Sequence, residues 1–435
     1  MPHFHSALLA IVLLFSTYSL QVQAQYKKVF AHFIVGNSAA FQQTDWESDI
    51  QAAKAAGLDG FALNIGNDDY TGQQLSNAFS AAEAIGNFQM FISFDYGAYP
   101  DWTTAQVQQI TNQYGVSSAY FQYWGKPLVS TFEGPDATAT DWNAIGSEFS
   151  LLPSWTSLGP AFSSRLGQVV GALAWAAWPT YPDSINTAND VFWSNMLQGK
   201  SYMMAVSPWF YADCYGKNWL WSGDDLWHER WQQVIEYQPD FVEVLTWNDF
   251  GESHYIGPLR PSGFPTGSER YATDMPHDAW REMLPYYINA YKAGNATKVN
   301  HAHDDEKLVY YHRINPSTAG STGGTTANTP TQGQTPAAPQ LASQDAIFVD
   351  VLVKEPSNVA IRIGGNPATT LQASVAGINH FSVPFNGQTG PVKYTVTRGG
   401  QTILSTIGAT ITSDCTDGLV NWNAIVGSSN ATLTS

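Results

Sequence analysis

The sequence predicts an α/β fold, a (β/α)8 TIM barrel followed by a small all-β sandwich domain. Three observations lead to this prediction. Before residue 315, short apolar runs alternate with helical patterns. From Asn315 to Ser343 the chain consists mainly of Ser, Thr, Gly, Pro, Gln and Ala. Beyond that segment, β-branched stretches are separated by turns such as Gly364-Gly365-Asn366-Pro367, and no helical period is visible.

The alternation in the first part supplies the strands and helices of a barrel. The predicted strands are Val29–Gly36, Gly60–Gly66, Gln89–Tyr96, Pro127–Phe132, Phe149–Pro153, Gly171–Trp178, Tyr202–Trp209 and Phe241–Asp249. The clearest helices between them are Asp45–Ala56, Gln73–Ile85, Thr104–Tyr114, Ala188–Leu197 and Asp225–Tyr237. Gly57 is suited to end the first helix, because glycine adopts the left-handed conformation readily.

The polar segment divides the chain. It contains too few apolar side chains to offset the entropy of ordering it, so we predict a linker. The expected organisation is a signal peptide at 1–24, a catalytic barrel at 25–314, the linker at 315–343 and the β-sandwich at 344–435. The sandwich strands are predicted at Ala346–Val353, Asn358–Ile363, His380–Phe385, Val392–Arg398 and Ile403–Ile411.

The N-terminus has the pattern of a secretory signal. The apolar run Ala7–Phe15 is too short to span a bilayer, and Val22-Gln23-Ala24 is a small-residue cleavage pattern. The region before the run carries His3 and His5 but no Lys or Arg, which departs from the usual pattern. We expect a secreted protein, extracellular or in the cell wall. Whether Cys214 and Cys415 pair there is left open.

The charge and the aromatic content indicate the class of partner. A formal net charge of -17 disfavours nucleic acid and anionic membranes. A neutral polysaccharide is unaffected by this charge, and 16 Trp and 21 Tyr residues offer flat faces for sugar rings. About two-thirds of these aromatic side chains are expected in the core. We therefore expect a monomer that acts on a polysaccharide without a cofactor.

Acids and aromatic residues gather at the predicted strand ends, where the active site of a TIM barrel forms. These residues are Asn64, Asp68, Asp95, Tyr96, Glu133, Trp178, Trp209, Trp247, Asn248, Asp249 and Glu252. Cleavage of a glycosidic bond requires two carboxyl groups, one protonated and one ionised. Any single acid here can instead be a cap or a hydrogen-bond acceptor, and the sequence barely chooses between Asp68 and Asp69.

Seven segments together resemble glycoside hydrolase family 71, the fungal α-1,3-glucanases or mutanases. The most specific is Trp247-Asn248-Asp249-Phe250-Gly251-Glu252. The resemblance extends from Val29 to about Gly294, in the order of the family. The seven segments are Ala31–Asn37, Gly60–Gly66, Ser93–Tyr96, Val129–Gly134, Trp175–Pro179, Met204–Phe210 and Trp247–Tyr255.

The resemblance implies a (β/α)8 catalytic domain with a β-sandwich and the activity of a glucan endo-1,3-α-glucosidase, with inversion at the anomeric carbon. It also implies that Asp249 and Glu252 are catalytic and that Asp68 assists. We favour Glu252 as the general acid and Asp249 as the base. The residues expected to bind substrate are Asn64, Asp95, Tyr96, Glu133, Trp178, Trp209, Trp247, Asn248 and His254.

Three alternatives are weighed against this interpretation. The cluster His301-Ala302-His303-Asp304-Asp305 is most simply a solvated connector, so no metal is expected. A cell-wall protein that binds α-glucan without cleaving it is the alternative function, although such a protein need not keep the pair Asp249 and Glu252. The C-terminal domain either binds insoluble glucan or packs on the barrel, and its few aromatic residues favour packing.

Overall fold

The structure, a computed structural model, describes residues 27–294 and 305–430. The predicted signal peptide and the segment His301–Asp304 lie outside these residues. Among the residues that are described, no helix is both long and apolar enough to cross a membrane.

A curled, mostly parallel sheet forms the first unit of this mixed α/β fold. Its strands are β1 (Lys28–Ile34), β2 (Gly60–Ile65), β3 (Gln89–Asp95), β4 (Gln122–Tyr123), β5 (Lys126–Phe132), β6 (Ser150–Leu151), β7 (Gly171–Ala174), β8 (Ser201–Val206) and β11 (Phe241–Val244). In space the parallel strands follow the order β7-β8-β11-β1-β2-β3-β5-β6, and β4 forms an antiparallel hairpin with β5. Every predicted strand position holds a strand, but the last four strands end earlier than predicted.

The paired strands describe a curled sheet, whereas the sequence predicts a complete eight-stranded barrel. β6 and β7 are the two edges of this sheet. Two backbone hydrogen bonds join the edges: the Val170 amide donates to the Leu151 carbonyl at 2.8 Å, and the Leu173 amide donates to the Pro153 carbonyl at 3.0 Å.

Helices separate most of the parallel strands. The α-helices of the described chain are α1 (Gln43–Ala55), α2 (Thr71–Ile85), α3 (Thr104–Gly115), α4 (Trp142–Glu148), α5 (Ala188–Leu197), α6 (Leu226–Tyr237), α7 (Glu269–Ala272) and α8 (Leu284–Ala293). Short 3-10 helices lie at Val35–Ser38, Thr156–Arg165, Pro261–Gly263, Asp278–Met283, Pro330–Gln332, Pro339–Leu341 and Thr416–Gly418. The five predicted helices are confirmed.

Local sequence explains where several elements begin and end. Thr103 and Gln106 form a capping box at the start of α3, in which each side chain accepts the other residue's amide. Gly57, with φ +86°, follows α1 as predicted. The first residue of β2 is Gly60. Only glycine fits at this position, because a Cβ there would lie 1.6 Å from the carbonyl oxygen of Gln89.

Aromatic rings fill the curl at the amino ends of the strands. The Phe30 ring lies 4.9 Å from Phe91, 5.1 Å from Phe121 and 6.4 Å from Phe241. β1 and β3 are not neighbours in the sheet, so rings from these strands meet only inside the curl. This packing closes the amino end and leaves the carboxyl ends of the strands for polar chemistry.

Two four-stranded antiparallel sheets form the second unit. The first contains β12 (Lys307–Arg313), β14 (Ala346–Val353), β17 (Gly377–Pro384) and β20 (Ala424–Asn430). The second contains β15 (Ser357–Ile363), β16 (Thr369–Ala373), β18 (Gly390–Arg398) and β19 (Gln401–Ile411). Apolar side chains from both sheets form one buried cluster. Strand β12 lies before the predicted domain boundary, yet it pairs with β14 and β20.

Strand β14 joins the two units, because both of its faces are buried. Ile347 and Val349 belong to the cluster between the antiparallel sheets. Phe348 and Leu352 belong instead to the large core of the parallel sheet. The C-terminal unit therefore packs directly on the first unit, in agreement with the role favoured from the sequence.

The segment predicted as a linker, 315–343, differs from a solvated tether. Its strand β13 (Thr326–Ala327) pairs with β10 (Trp219–Leu220), which also pairs with β9 (Tyr211–Ala212). The buried Asn328 side chain accepts the Tyr181 amide at 2.9 Å and donates to the Tyr181 carbonyl at 2.8 Å. Small polar residues thus order this segment through hydrogen bonds, which an argument from apolar burial does not take into account.

Candidate active site

A tight turn after β11 carries the two predicted catalytic residues. The Thr246 amide donates to the His254 carbonyl at 2.9 Å, which closes the base of the turn. Within it, the Asp249 amide donates to Thr246 Oγ1 at 2.9 Å, and the Glu252 amide donates to Asp249 Oδ1 at 3.0 Å. These bonds hold the side chains of Asp249, Glu252 and His254 on one side of the turn.

The two carboxyl groups have different partners. Glu252 forms an ion pair with Lys217 through Oε1, and its Oε2 lies 2.8 Å from His254 Nε2. Asp249 Oδ2 lies 3.8 Å from the same nitrogen. The Asp249 side chain is 19% exposed and that of Glu252 15%, so both are screened from bulk water but accessible.

The pKa values of the pair are shifted in opposite directions. Burial and the charge of Glu252 raise the pKa of Asp249. Burial would also raise the pKa of Glu252, but the hydrogen bond from His254 and the charge of Lys217 outweigh it and lower that pKa. The pair therefore combines one carboxyl group that keeps its proton more readily with one that stays ionised, as glycoside hydrolysis requires.

His254 is fully buried, and its hydrogen bonds indicate its tautomer. Thr246 Oγ1 lies 3.2 Å from Nδ1, and it can donate its hydroxyl proton there while it accepts the Asp249 amide. We therefore assign the ring proton to Nε2, which donates to Glu252.

The nearest ligand atoms of Asp249, Glu252 and His254 lie within 4.8 Å of one another. This spacing suits a cation, but the Lys217 ammonium already neutralises Glu252 there.

The loop between β9 and β10, residues 213–218, is anchored to the catalytic turn. The Tyr271 hydroxyl donates to the Gly251 carbonyl at 2.7 Å and lies 3.2 Å from Cys214 Sγ. Asp213 forms an ion pair with Arg270. These contacts fix the loop that carries Lys217. Both Cys214 and Cys415 are free thiols.

Aromatic rings form a wall beside His254. The Trp178 and Phe210 ring centroids lie 5.2 Å and 5.8 Å from its ring. The half-buried Trp178 also stacks on Trp221 at 5.5 Å, with 23° between the planes. The structure therefore brings Trp178 and His254, two predicted substrate-binding residues, together with Asp249 and Glu252.

Two of the tryptophans that were expected to bind substrate lie in the core instead. Trp209 is 2% exposed, and its Nε1 donates to the Trp422 carbonyl at 3.0 Å. Trp247 is fully buried, and its Nε1 donates to Asp49 at 3.0 Å. Neither ring presents a face to a sugar, because the chain turns these side chains away from the mouth after the strands end.

Tyr96, Asn248 and Asn64 are also buried. The Tyr96 hydroxyl lies 2.8 Å from that of Thr140, below the mouth loops. The Asn248 side chain accepts the Ile34 amide at 2.8 Å and donates to the Ile34 carbonyl at 3.0 Å, as a neighbouring strand would. Asn64 is 4% exposed and lies opposite Ile34 in the sheet. These side chains support the mouth of the sheet.

The other three predicted acids remain at the carboxyl ends of their strands. Asp68 is exposed. Burial of Tyr70, on the same loop, raises the pKa of that tyrosine, and the negative charge of Asp68 raises it further. Asp95 is half-buried and accepts the Ala98 amide at 2.8 Å. Glu133, with φ +54°, accepts hydrogen bonds from the backbone and the hydroxyl of Ser157. None of these contacts joins the three acids to the catalytic turn.

Lys217, which contacts the predicted catalytic Glu252, is not indicated by the sequence. It lies in an irregular loop between two short strands, where neither a strand end nor a motif marks it. Trp175 lies near the end of a predicted strand and begins one of the segments that resemble the family. Its half-buried ring lies 4.9 Å from both His32 and Phe132 inside the curl, so it forms the floor of the mouth.

Comparison with known proteins identifies the family. The model of glycosyl hydrolase family 71 matches residues 25–435. A glucan endo-1,3-alpha-glucosidase of Schizosaccharomyces pombe is 36% identical over 441 residues, covering 96% of this chain and 98% of the yeast protein. A mutanase of Penicillium rubens is 36% identical over 422 residues, covering 94% of this chain and 90% of the relative. A solved endo-alpha-mannosidase from Bacteroides thetaiotaomicron aligns with 13% identity and a TM-score of 0.47 over 62% of this chain and 98% of that chain. The chain is a glycoside hydrolase and belongs to glycosyl hydrolase family 71.

Proposed function

We propose that this protein hydrolyses the α-1,3-glucosidic bonds of α-1,3-glucan, with Asp249 and Glu252 as the catalytic pair. The names of its relatives supply the substrate. The observation that carries the proposal is the pair itself: two accessible carboxyl groups of one turn whose pKa values are shifted apart. Such a pair provides the acid and the ionised carboxylate that cleavage of the bond requires.

The charges of the unliganded site support Glu252 as the ionised member and Asp249 as the proton donor. This is the reverse of the assignment favoured from the sequence. The reason is Lys217, which the sequence analysis did not place, because an ammonium in contact with a carboxylate favours its ionised form. An acid role for Glu252 requires that Lys217 leave this carboxylate when glucan binds.

We propose inversion at the anomeric carbon, following the family resemblance. In this mechanism Glu252 activates a water while Asp249 protonates the leaving oxygen. Inversion needs room for a water between the two carboxyl groups, whereas in retention, the competing mechanism, the second carboxylate attacks the sugar directly.

The test is incubation of the protein with α-1,3-glucan, with the anomer of each newly formed reducing end followed by NMR. Initial β-anomers are expected and support both the substrate and inversion. Initial α-anomers would keep the activity and overturn inversion in favour of a covalent glycosyl intermediate. Absence of new reducing ends from α-1,3-glucan would overturn the proposed function.

We further propose that the fold is a complete (β/α)8 barrel with a β-sandwich, secreted to the cell wall or medium. The two hydrogen bonds between the edges β6 and β7 support closure of the curled sheet. The buried cluster between the antiparallel sheets supports the sandwich. A monomer that binds α-1,3-glucan at the carboxyl ends of the parallel strands, with Trp178 and His254 at the site and Asp68 assisting, completes this proposal.

A further inference from the structure

The loop at residues 213–218 carries two side chains that lie beside the catalytic turn. Lys217 contacts Glu252, whereas Tyr215 is 66% exposed. The Tyr215 ring lies above the catalytic turn: a Cβ added to Gly251 would be 3.0 Å from its Cε2 atom. Gly251 stands between Asp249 and Glu252 in the sequence, so the exposed ring borders the catalytic pair.

The electrostatics agree with this placement. Burial of its hydroxyl group and then the negative charge of Asp249 raise the pKa of Tyr215, with a smaller effect of Glu252. The charges of Asp249 and Glu252 therefore act on the Tyr215 hydroxyl, while much of the residue is exposed to solvent.

The backbone at Tyr215 is unfavourable for a tyrosine. Its φ is +57°, in the left-handed region that costs a residue with a side chain free energy, and Gly216 follows with φ +72°. Contacts of Cys214, Asp213 and Lys217 already anchor the loop. The exposed ring is therefore not needed to hold the loop in place.

Exposed large aromatic side chains are uncommon in the described residues. Trp124, Phe192 and Tyr215 are the three members of this group. Trp124 lies in the β4–β5 turn, at the amino end of β5, and Phe192 lies on α5. Tyr215 alone among them borders the carboxyl groups. The predicted platforms Trp209 and Trp247 are buried, so they leave the role of an open aromatic face to other residues.

We propose that Tyr215 is the aromatic platform on which a glucose ring of the substrate stacks beside the bond that is cleaved. The C–H face of a pyranose is apolar and flat, and it packs on the exposed face of a phenol ring. This inference rests on the proposed function. The loop then has two roles, because Tyr215 positions the sugar and Lys217 sets the charge of Glu252.

The test compares Tyr215→Ala and Tyr215→Phe with a matched control, Trp124→Ala. Trp124 is 67% exposed, has φ +51° and precedes a left-handed glycine, so its replacement removes a comparable ring from a comparable turn. KM and kcat are measured on soluble α-1,3-linked glucose oligosaccharides. Their Kd is measured by calorimetry with each ring variant placed in an Asp249→Asn background, and Tm is recorded for every variant.

The expected result is a rise of about tenfold in KM and Kd for Tyr215→Ala, with Tm unchanged or higher. Tyr215→Phe keeps the stacking face and should stay within about twofold of the wild type. Trp124→Ala should leave KM and Kd unchanged.

A Tyr215→Ala variant with the KM and Kd of the wild type would overturn the platform while the proposed function stands. The platform is equally overturned if Trp124→Ala weakens binding to the same extent, or if Tyr215→Ala lowers Tm and kcat with KM unchanged. If the wild type neither binds nor cleaves the oligosaccharides, the proposed function fails and the platform fails with it.

Discussion

Histidine and carboxylate side chains meet in two clusters of this protein, and the two clusters differ in how their charged groups are paired. The active-site cluster is Asp249, Glu252, His254 and Lys217. The interface cluster is Asp225, His228, Asp350 and His380, where helix α6 packs against strands β14 and β17. In the interface cluster His380 Nδ1 lies 2.7 Å from Asp350 Oδ1, and its Nε2 lies 2.7 Å from Asp225 Oδ1.

Both ring nitrogens of His380 thus face carboxylate oxygens, so both carry protons and the ring is charged. Burial alone would lower the pKa of His380, but Asp350 and Asp225 outweigh it and raise it to about 10. His228 stacks on this ring at 4.7 Å, and burial lowers its pKa. Asp350 is completely buried.

The comparison separates a structural cluster from a reactive one. In the interface cluster the cation of His380 lies between Asp225 and Asp350, and each carboxylate contacts one of its two ring nitrogens. In the active-site cluster Lys217 and His254 both contact Glu252, whereas Asp249 has a raised pKa and an accessible oxygen. The proposed active site therefore differs from the interface cluster in the unequal partners of its two carboxyl groups, and not in the mere presence of histidines and acids.

The largest expected effect is on activity in the active-site cluster. Asp249→Asn and Glu252→Gln should each lower kcat by about a thousandfold, because each removes one of the two proton-transfer groups. Thermal unfolding of Asp249→Asn should occur at or above the wild-type temperature, because its raised pKa means that the folded protein disfavours this charge. Glu252→Gln should unfold at a lower temperature, because it leaves the ammonium of Lys217 without its carboxylate. Release of reducing ends and differential scanning calorimetry measure the two quantities. Unfolding of Asp249→Asn at a clearly lower temperature would remove the distinction between the clusters.

Stability should respond in the interface cluster. His380→Gln should lower the free energy of unfolding by about 3 kcal/mol, because it leaves the buried carboxylate of Asp350 without its cation. Urea unfolding measures this change. The folded variant should keep its kcat, since the cluster lies away from the catalytic turn, and the exposed substitution Lys393→Gln on β18 serves as the control.

The same cluster predicts a pH dependence. The folded pKa of His380, about 10, is above the value of 6.5 expected in the unfolded chain. The stabilisation from its charge is therefore complete below about pH 6.5 and is lost as the pH rises towards 10. The difference in unfolding free energy between the wild type and His380→Gln should shrink across this window. A constant difference would mean that His380 is not charged in the folded protein.

Sequence alone predicts much of the fold and the centre of the site. Strand periodicity locates the carboxyl ends of the strands, and Asp249 and Glu252 follow one of them. Sequence does not predict the direction of each aromatic side chain, because the chain leaves the strand before the residue is reached. Trp247 and Trp209 illustrate this: β11 ends at Val244 and β8 at Val206, so a few irregular residues decide where each indole points.

Composition also misjudges the segment 315–343. The Trp221 indole donates to Gln334 at 2.8 Å, and Asn328 satisfies the backbone of Tyr181. The segment therefore supports the aromatic wall next to His254, through hydrogen bonds that a count of apolar residues does not register. Lys217 escapes prediction for a related reason, since its partner Glu252 lies on another element of the fold.

The smallest expected effect is a shift in the pH profile on replacement of Lys217. It distinguishes which of Asp249 and Glu252 is the acid and which is the base. Lys217→Met removes the ammonium from Glu252, so the pKa of Glu252 should rise by about one unit, or about 1.4 kcal/mol. If Glu252 acts as the base, the acidic limb of the kcat/KM profile moves to higher pH by this amount. If Glu252 acts as the acid, the alkaline limb moves by this amount instead. The limb set by Asp249 moves less in either case, because Lys217 acts on Asp249 through its charge alone, without a hydrogen bond. Lys217→Arg keeps the charge and should leave both limbs in place. Limbs that stay fixed in Lys217→Met would show that Lys217 does not control the ionisation of Glu252, and the contrast drawn between the two clusters would lose its basis.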